Sequence, residues 1–446
     1  MEKSSINSMA TPSTRLRTYR SAPGLWERLR HAPVPLSALL WTVVALVVRL
    51  VMMRFVHRVD ADGQRYLVYA RNIGRGDLFH PALHWAPYPP FYPALIWLVS
   101  RLGLSPMQAG YVVSIVCGAA LVGVIFLLAH HVLGPLVAHT AALLLASNGH
   151  FIVYSDAVLS ESTYYLLAFA LLSPVVRCIV PSFTGSQAIA APRPWLFVAV
   201  PLLAVAMTLT RYVGVVFPIA LLIVALAMAG RRLAPALGGS LVVATVVAAL
   251  ALVGVSSAIG ARLTQVPGYP AGNYMTQELS HGLHDGFDGQ ANVPVDSNRT
   301  LAESPLRYLR DHLGQIVKRA SLLLRNSLDT GIETGPQVWN RAPIVPFYLT
   351  ILFVLGLVWG YGLQPRALLV LLAPLVLLVL PNLVFVDDPR YYLGLVPVSL
   401  VFVAVGIVHG VRRALAMATG PRALCLLLFG CAALLYLSDL YYVHPN

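Results

Sequence analysis

The chain has 446 residues, 58% hydrophobic and only 11% charged, with a mean hydropathy of +0.73. Soluble domains carry roughly 25% charged residues, so the composition excludes a soluble globular protein and points to an all-α protein of many membrane spans. The formal net charge of +13 reads as a topology signal rather than a nucleic-acid footprint.

Residues 1–34 are polar and Arg-rich, and are expected to form a basic cytoplasmic tail. The apolar run that follows is too long for a signal-peptide core and has no A-x-A site, so it is expected to stay as an uncleaved first helix. Apolar windows of about 20 residues then lie near 35–56, 107–129, 135–153, 157–180, 195–210, 212–230, 236–259, 344–363, 367–386, 391–411 and 422–442. They predict about 11 transmembrane helices. Cys117, Cys178, Cys425 and Cys431 all fall in apolar runs without metal-ligand spacing and read as small buried hydrophobes.

With the N-terminus inside, the short cytoplasmic segments collect arginines such as Arg177, Arg231, Arg232, Arg366, Arg412 and Arg413, and the acids fall on or near the opposite face. Two large loops belong to that outer face, 57–105 and 261–342. The first contains "YPPFYPALIWLVSRLGL", short for a span and readable as an interfacial helix. The second starts rich in Gly, Pro, Asn and Asp. It continues through Ser304 and Pro305, an N-cap and first-turn pair, into a basic amphipathic stretch holding Arg310, Lys318 and Arg319.

Polar residues near the helix ends converge on the outer side. Asp60 and Asp62 follow the first helix, Asp156 and Glu161 occupy the third-to-fourth turn, and Arg211 sits between the fifth and sixth helices. Asp387, Asp388, Arg390 and Tyr391 precede the tenth. Charged groups at membrane depth are costly and either line cavities or pair with one another. Asp62 therefore serves as a site acid, a helix cap, or both. Arg211 and Arg390 bind an anion, or else anchor to lipid and pair structurally. His80, His84 and Trp85 line the first loop, and the histidines lack metal-like spacing.

Ordered along the chain, these features resemble the GT-C superfamily of polytopic glycosyltransferases, in its bacterial branch of lipid A aminoarabinose transferases and protein O-mannosyltransferase relatives. The matching residues are Asp62 four before Tyr66, then "ARNIGRGDLFHP", "YPPFYPALIWL", "VLSESTYY" with Glu161, the "TR" turn at Arg211 and "RYYLGLVP" after Arg390. There are departures. Asp62 is followed by Gly63 where many relatives have a second acid, and the later acid is Glu161 rather than Asp. The chain stops at "DLYYVHPN", without the soluble C-terminal domain of longer members.

The resemblance implies a GT-C-like transmembrane catalytic domain over 35–446, in a bacterial inner membrane, with an active site on the periplasmic face. It implies transfer of one sugar from a polyprenyl-phosphate-linked donor to a glycan, lipid or protein acceptor, with inversion. Asp62 is expected to act as base and Glu161 to assist it or position the acceptor. Arg211 and Arg390, with Lys318 and Arg319, are expected to hold the donor phosphate. Asp60, Tyr66, Asp156, His84 and Tyr391 are secondary candidates. No cofactor is expected, because the phosphate already makes a good leaving group. The rival reading is a transporter or lipid flippase, which needs ionisable residues in mid-helix rather than at one face.

The topology is directly testable. In a chain otherwise free of cysteine, Gly289→Cys is expected to react with an impermeant thiol reagent in intact cells and Ala234→Cys is not. Reversed labelling would turn the proposed face inside out.

Overall fold

Residues 33–55, 59, 61–77, 88–180, 183, 194–229, 235–263, 310–311, 313–314, 317, 349–373, 376 and 393–442 are described in the computed structural model of the chain. Their regular structure is helical. Helix α1 spans Val34–Met52, α2 Ala61–Gly74, α3 Phe91–Ser100, α4 Pro106–Leu133 and α5 Pro135–Ala146. Then come α6 (Gly149–Ser155), α7 (Glu161–Ile179) and α8 (Leu196–Thr208). A 3-10 turn at Tyr212–Val215 leads into α9 (Val216–Ala229) and α10 (Pro235–Leu263). Finally come α11 (Thr350–Leu363), α12 (Val396–Leu415) and α13 (Thr419–Tyr442).

Six of these stretches are long and apolar enough to cross a bilayer alone, and α5 with α6, bent by 60°, makes a seventh. Most of the other expected spans appear as apolar helices of 10–17 residues, so length alone does not establish the count of 11. The 60° bend falls at Ser147 and Asn148, and Asn148 restarts the helix by accepting a hydrogen bond from the Phe151 N–H at 2.9 Å. The first loop carries two helices. Helix α2 turns Tyr66, Leu67, Tyr69 and Ala70 inward and leaves Gln64, Arg65, Val68 and Arg71 exposed. Helix α3 begins directly after Pro90. Of the basic stretch in the second loop, the described positions 310–311, 313–314 and 317 have helical backbone. The cysteines depart from expectation. Cys117, Cys178 and Cys425 are only partly buried and Cys431 is exposed, on a helix whose Leu427, Leu428 and Leu434 are also exposed.

Helix α4 is the centre of the described bundle. Ser105 and Gln108 close a reciprocal capping box at its start and Pro106 occupies its first turn. Its 28 residues rise about 42 Å and pack against α1, α3, α5, α6 and α7. One stripe of α4, at intervals of four, consists of Gly110, Ser114 and Gly118. The turn joining α6 to α7 lies directly on it. A Cβ on Gly110 would sit 2.7 Å from Val158 Cγ1, and one on Gly118 would sit 2.3 Å from Ser155 Oγ. Between them Ser114 Oγ donates to the Leu159 carbonyl at 3.0 Å. Small residues permit this approach, as they do between membrane helices generally.

Gly110→Ala is expected to lower stability by about 1–3 kcal/mol through overpacking. Adding Val158→Ala should recover part of that loss. Thermal unfolding of the purified protein in detergent reads both, and an unaffected single variant would refute the close approach.

Candidate functional site

Four segments meet where α4 begins. Helix α2 brings Asp62 and Tyr66, the approach to α3 brings Tyr88, the start of α7 brings Glu161, and the end of α8 brings Arg211. The Phe91 N–H donates to the Leu209 carbonyl at 2.9 Å, which fastens the start of α3 to the turn that carries Arg211.

Asp62 lies within the first turn of α2, where a carboxylate favours the positive end of the helix dipole; it does not cap α2, which already begins at Ala61. Tyr88 Oη donates to Asp62 Oδ1 at 2.6 Å, and Arg65 Nη1 donates to Tyr88 Oη at 2.7 Å. Arg65 also stands 3.7 Å from Asp62 Oδ1, as a half-exposed neighbour that contributes little to stability. Neither Tyr88 nor Arg65 was among the sequence candidates. Tyr88 had a signal, since it directly precedes the double proline, and Arg65 shares a helix face with Asp62 at i, i+3.

Tyr66 is the hub. Its ring meets those of Tyr88 and Tyr92 edge to face, at centroid distances of 4.8 and 4.9 Å. Its hydroxyl lies 3.0 Å from Ser160 Oγ. Tyr92 reaches Ser114 Oγ at 2.7 Å, so the same serine that holds the Leu159 carbonyl also holds the aromatic stack. Burial pushes the Tyr66 phenol far above its ordinary range; Arg211 pulls the other way, and Glu161 and Asp62 push with burial. Burial, then the bond to Asp62, likewise push the Tyr88 phenol up. Both phenols therefore stay protonated near neutral pH, and Tyr88 remains a donor to the carboxylate.

Beside Ser160, Glu161 opens α7 and is 3% exposed. Its Oε1 lies 2.8 Å from Arg211 Nη1. The Arg211 guanidinium also stands 5.9 Å from the centre of the Tyr164 ring. Arg211, expected on the donor phosphate, is thus engaged by Glu161. A guanidinium has five N–H donors, so this engagement is compatible with an anion at another edge.

Asp156 is buried at the end of α6, at the other end of the connection that leads to Glu161. Asp60, His84, Lys318, Arg319, Arg390 and Tyr391 lie outside the described residues, as do His80, Trp85, Asp387 and Asp388. Among the described residues no three His, Cys, Asp or Glu side chains converge as metal ligands.

Residues 87–258 match the family of dolichyl-phosphate-mannose-protein mannosyltransferases. The matched segment holds Tyr88, Asp156, Glu161 and Arg211 and leaves Asp62 outside. No curated protein sequence matches the chain significantly. Among solved structures the chain resembles the archaeal oligosaccharyltransferase AglB of Archaeoglobus fulgidus, in complex with an inhibitory peptide and a dolichol-phosphate. That similarity has 14% identity and a TM-score of 0.53, and covers 92% of this chain and 56% of AglB. The chain therefore spans little more than half of that relative. ArnT of Cupriavidus metallidurans bound to undecaprenyl phosphate aligns at 18% identity and a TM-score of 0.41, over 84% of this chain and 79% of ArnT. Over residues 87–258 the chain is thus similar in sequence to that mannosyltransferase family, and its fold resembles that of AglB.

Proposed function

We propose that the protein transfers a single sugar from a polyprenyl-phosphate-linked donor to a hydroxyl acceptor on the extracytoplasmic face of the membrane. The observation that carries this reading is the convergence of Asp62 and the Glu161–Arg211 pair on Tyr66, at one end of a GT-C bundle. The matched family and AglB support the donor class, since one is named for a dolichyl-phosphate sugar and the other was solved in complex with a dolichol-phosphate.

In the mechanism that fits this site, Asp62 takes the proton from the acceptor hydroxyl as its oxygen attacks the anomeric carbon. The bond from that carbon to the phosphate oxygen breaks, and the polyprenyl phosphate departs with the electron pair. One displacement inverts the anomeric carbon. Tyr88 holds Oδ1 of Asp62, which orients the carboxylate towards the acceptor. Arg211 balances the charge that builds on the leaving phosphate, and Glu161 holds Arg211 in place. Lys318, Arg319 and Arg390 are proposed as further phosphate contacts. The donor's lipid tail stays in the bilayer, which explains a polar site at the ends of apolar helices.

Asp62→Asn keeps the size and polarity of the side chain and removes the base. Turnover is expected to fall by about 10²–10⁴-fold, with the donor still bound. Tyr88→Phe removes a hydrogen bond to the ionised form of the base, so the acid limb of the pH–rate profile should move to higher pH. Release of polyprenyl phosphate from a radiolabelled donor sugar by the detergent-purified protein checks both. A fully active Asp62→Asn would dismiss the base, and movement of the intact lipid-linked sugar across the bilayer of proteoliposomes without its cleavage would favour a flippase.

Arg211→Ala is expected to weaken donor use by about 1.5–3 kcal/mol, the worth of a charge-assisted hydrogen bond, and Arg211→Lys to recover part of it. If kcat/KM for the donor is unchanged in Arg211→Ala, the arginine is only the counter-charge of Glu161.

A further inference from the structure

Arg49 lies in the last turn of α1 and is completely buried. A long, charged side chain so near a helix end ordinarily snorkels into the headgroups. Here it turns inward instead. Its Nη1 donates to the Ala45 carbonyl at 3.1 Å, while Nε and Nη2 have no hydrogen-bond partner among the described residues. Asp156 is equally buried, and both its carboxylate oxygens are without a partner there. A buried charge is tolerated only where something compensates it.

Arg49 and the end of α6 that carries Asp156 meet at Gly118. A Cβ on Gly118 would meet Arg49 Nε at 3.0 Å and the Oγ of Ser155, the residue before Asp156, at 2.3 Å. Arg49 and the residue next to Asp156 therefore crowd one point on α4. From Asp156 the chain runs through Leu159, held by Ser114, to Ser160 against Tyr66 and then to Glu161 on Arg211. Ser162, in the first turn of α7, reaches back to Ser155 Oγ at 3.4 Å. A charge carried by α1 thus lies against the end of α6, where the turn that presents Glu161 begins.

We propose that Arg49 and Asp156 form a buried charge pair that sets the position of Glu161 for sugar transfer, both acting as positioning residues. The proposal rests on the glycosyltransferase reading for its consequence in turnover, but not for the pair itself.

Cys117 supplies a reporter that does not depend on activity. It neighbours Gly118 on α4 and sits against Thr163 in the first turn of α7, so a displaced turn uncovers it. In full-length protein carrying Cys178→Ala, Cys425→Ala and Cys431→Ala, alkylation of Cys117 by N-ethylmaleimide is followed in Arg49→Met, Asp156→Asn and the double variant. Each single change is expected to speed alkylation about tenfold, and the double to be no faster than the faster single. With donor, kcat should fall about tenfold in each single variant while KM for the donor stays within about twofold, and Arg49→Lys should recover most of kcat. Unchanged alkylation in both singles, or effects that multiply in the double, would overturn the pair. Loss of kcat only in proportion to loss of folded protein would overturn the positioning role. A parent protein that releases no polyprenyl phosphate from any donor would refute the glycosyltransferase reading, while the alkylation cycle still decides the pair.

Discussion

Everything at the site depends on how closely the turn between α6 and α7 approaches α4. A membrane interior offers no hydrophobic force between helices, so close packing must come from small residues and from buried polar contacts. Gly110, Ser114 and Gly118 supply both in one stripe, with a hydrogen bond between two points of near contact. Without that seat, neither Ser160 nor Glu161 would be held at a definite distance from α2, and the acids of two distant segments would share no frame.

Aromatic rings carry the same frame outward. Tyr92 is tied to Ser114, Tyr66 packs on Tyr92, and Tyr88 packs on Tyr66 while holding Asp62. Three rigid side chains thus connect the centre of the bundle to a carboxylate in the first loop. Tyrosine suits this task because each ring fills apolar space while its hydroxyl satisfies a polar neighbour. A site assembled this way has a buried wall of Tyr66, Tyr92, Ser160 and Glu161 behind a partly exposed carboxylate.

Much of this was legible in the sequence, and for physical reasons. Apolar run length shows the membrane class, and the described helices follow the apolar windows closely. Asp62, Tyr66, Glu161 and Arg211 stood out because an ionisable or aromatic group beside a span is costly or purposeful. Other features depend on contacts between remote segments. Nothing local in "ALHWAPYPPFYP" says that Tyr88 meets Asp62, and nothing in "AGYVVSIVCGAA" distinguishes a docking stripe from ordinary small residues. The 60° bend at Ser147 and Asn148 is also hidden, because one continuous apolar window covers both halves. Arg49 had a signal, a lone charge within an apolar run, but a count of arginines by loop passes over one that sits in a helix.

The two buried charge pairs differ in how they can be assembled during synthesis. Glu161 and Arg211 belong to successive hairpin partners, α7 and the end of α8, so a growing chain delivers each with its counter-charge close behind. Arg49 arrives with the first helix and must wait for α2 through α6 before Asp156 exists. Its place near the end of α1 lets it rest meanwhile in the headgroup layer, where an arginine is inexpensive. Drawing it inward is then a late step, taken only when α6 docks on α4. The first helix would remain loosely placed in the bilayer until half the protein had been made, and its capture would mark the point at which the bundle closes.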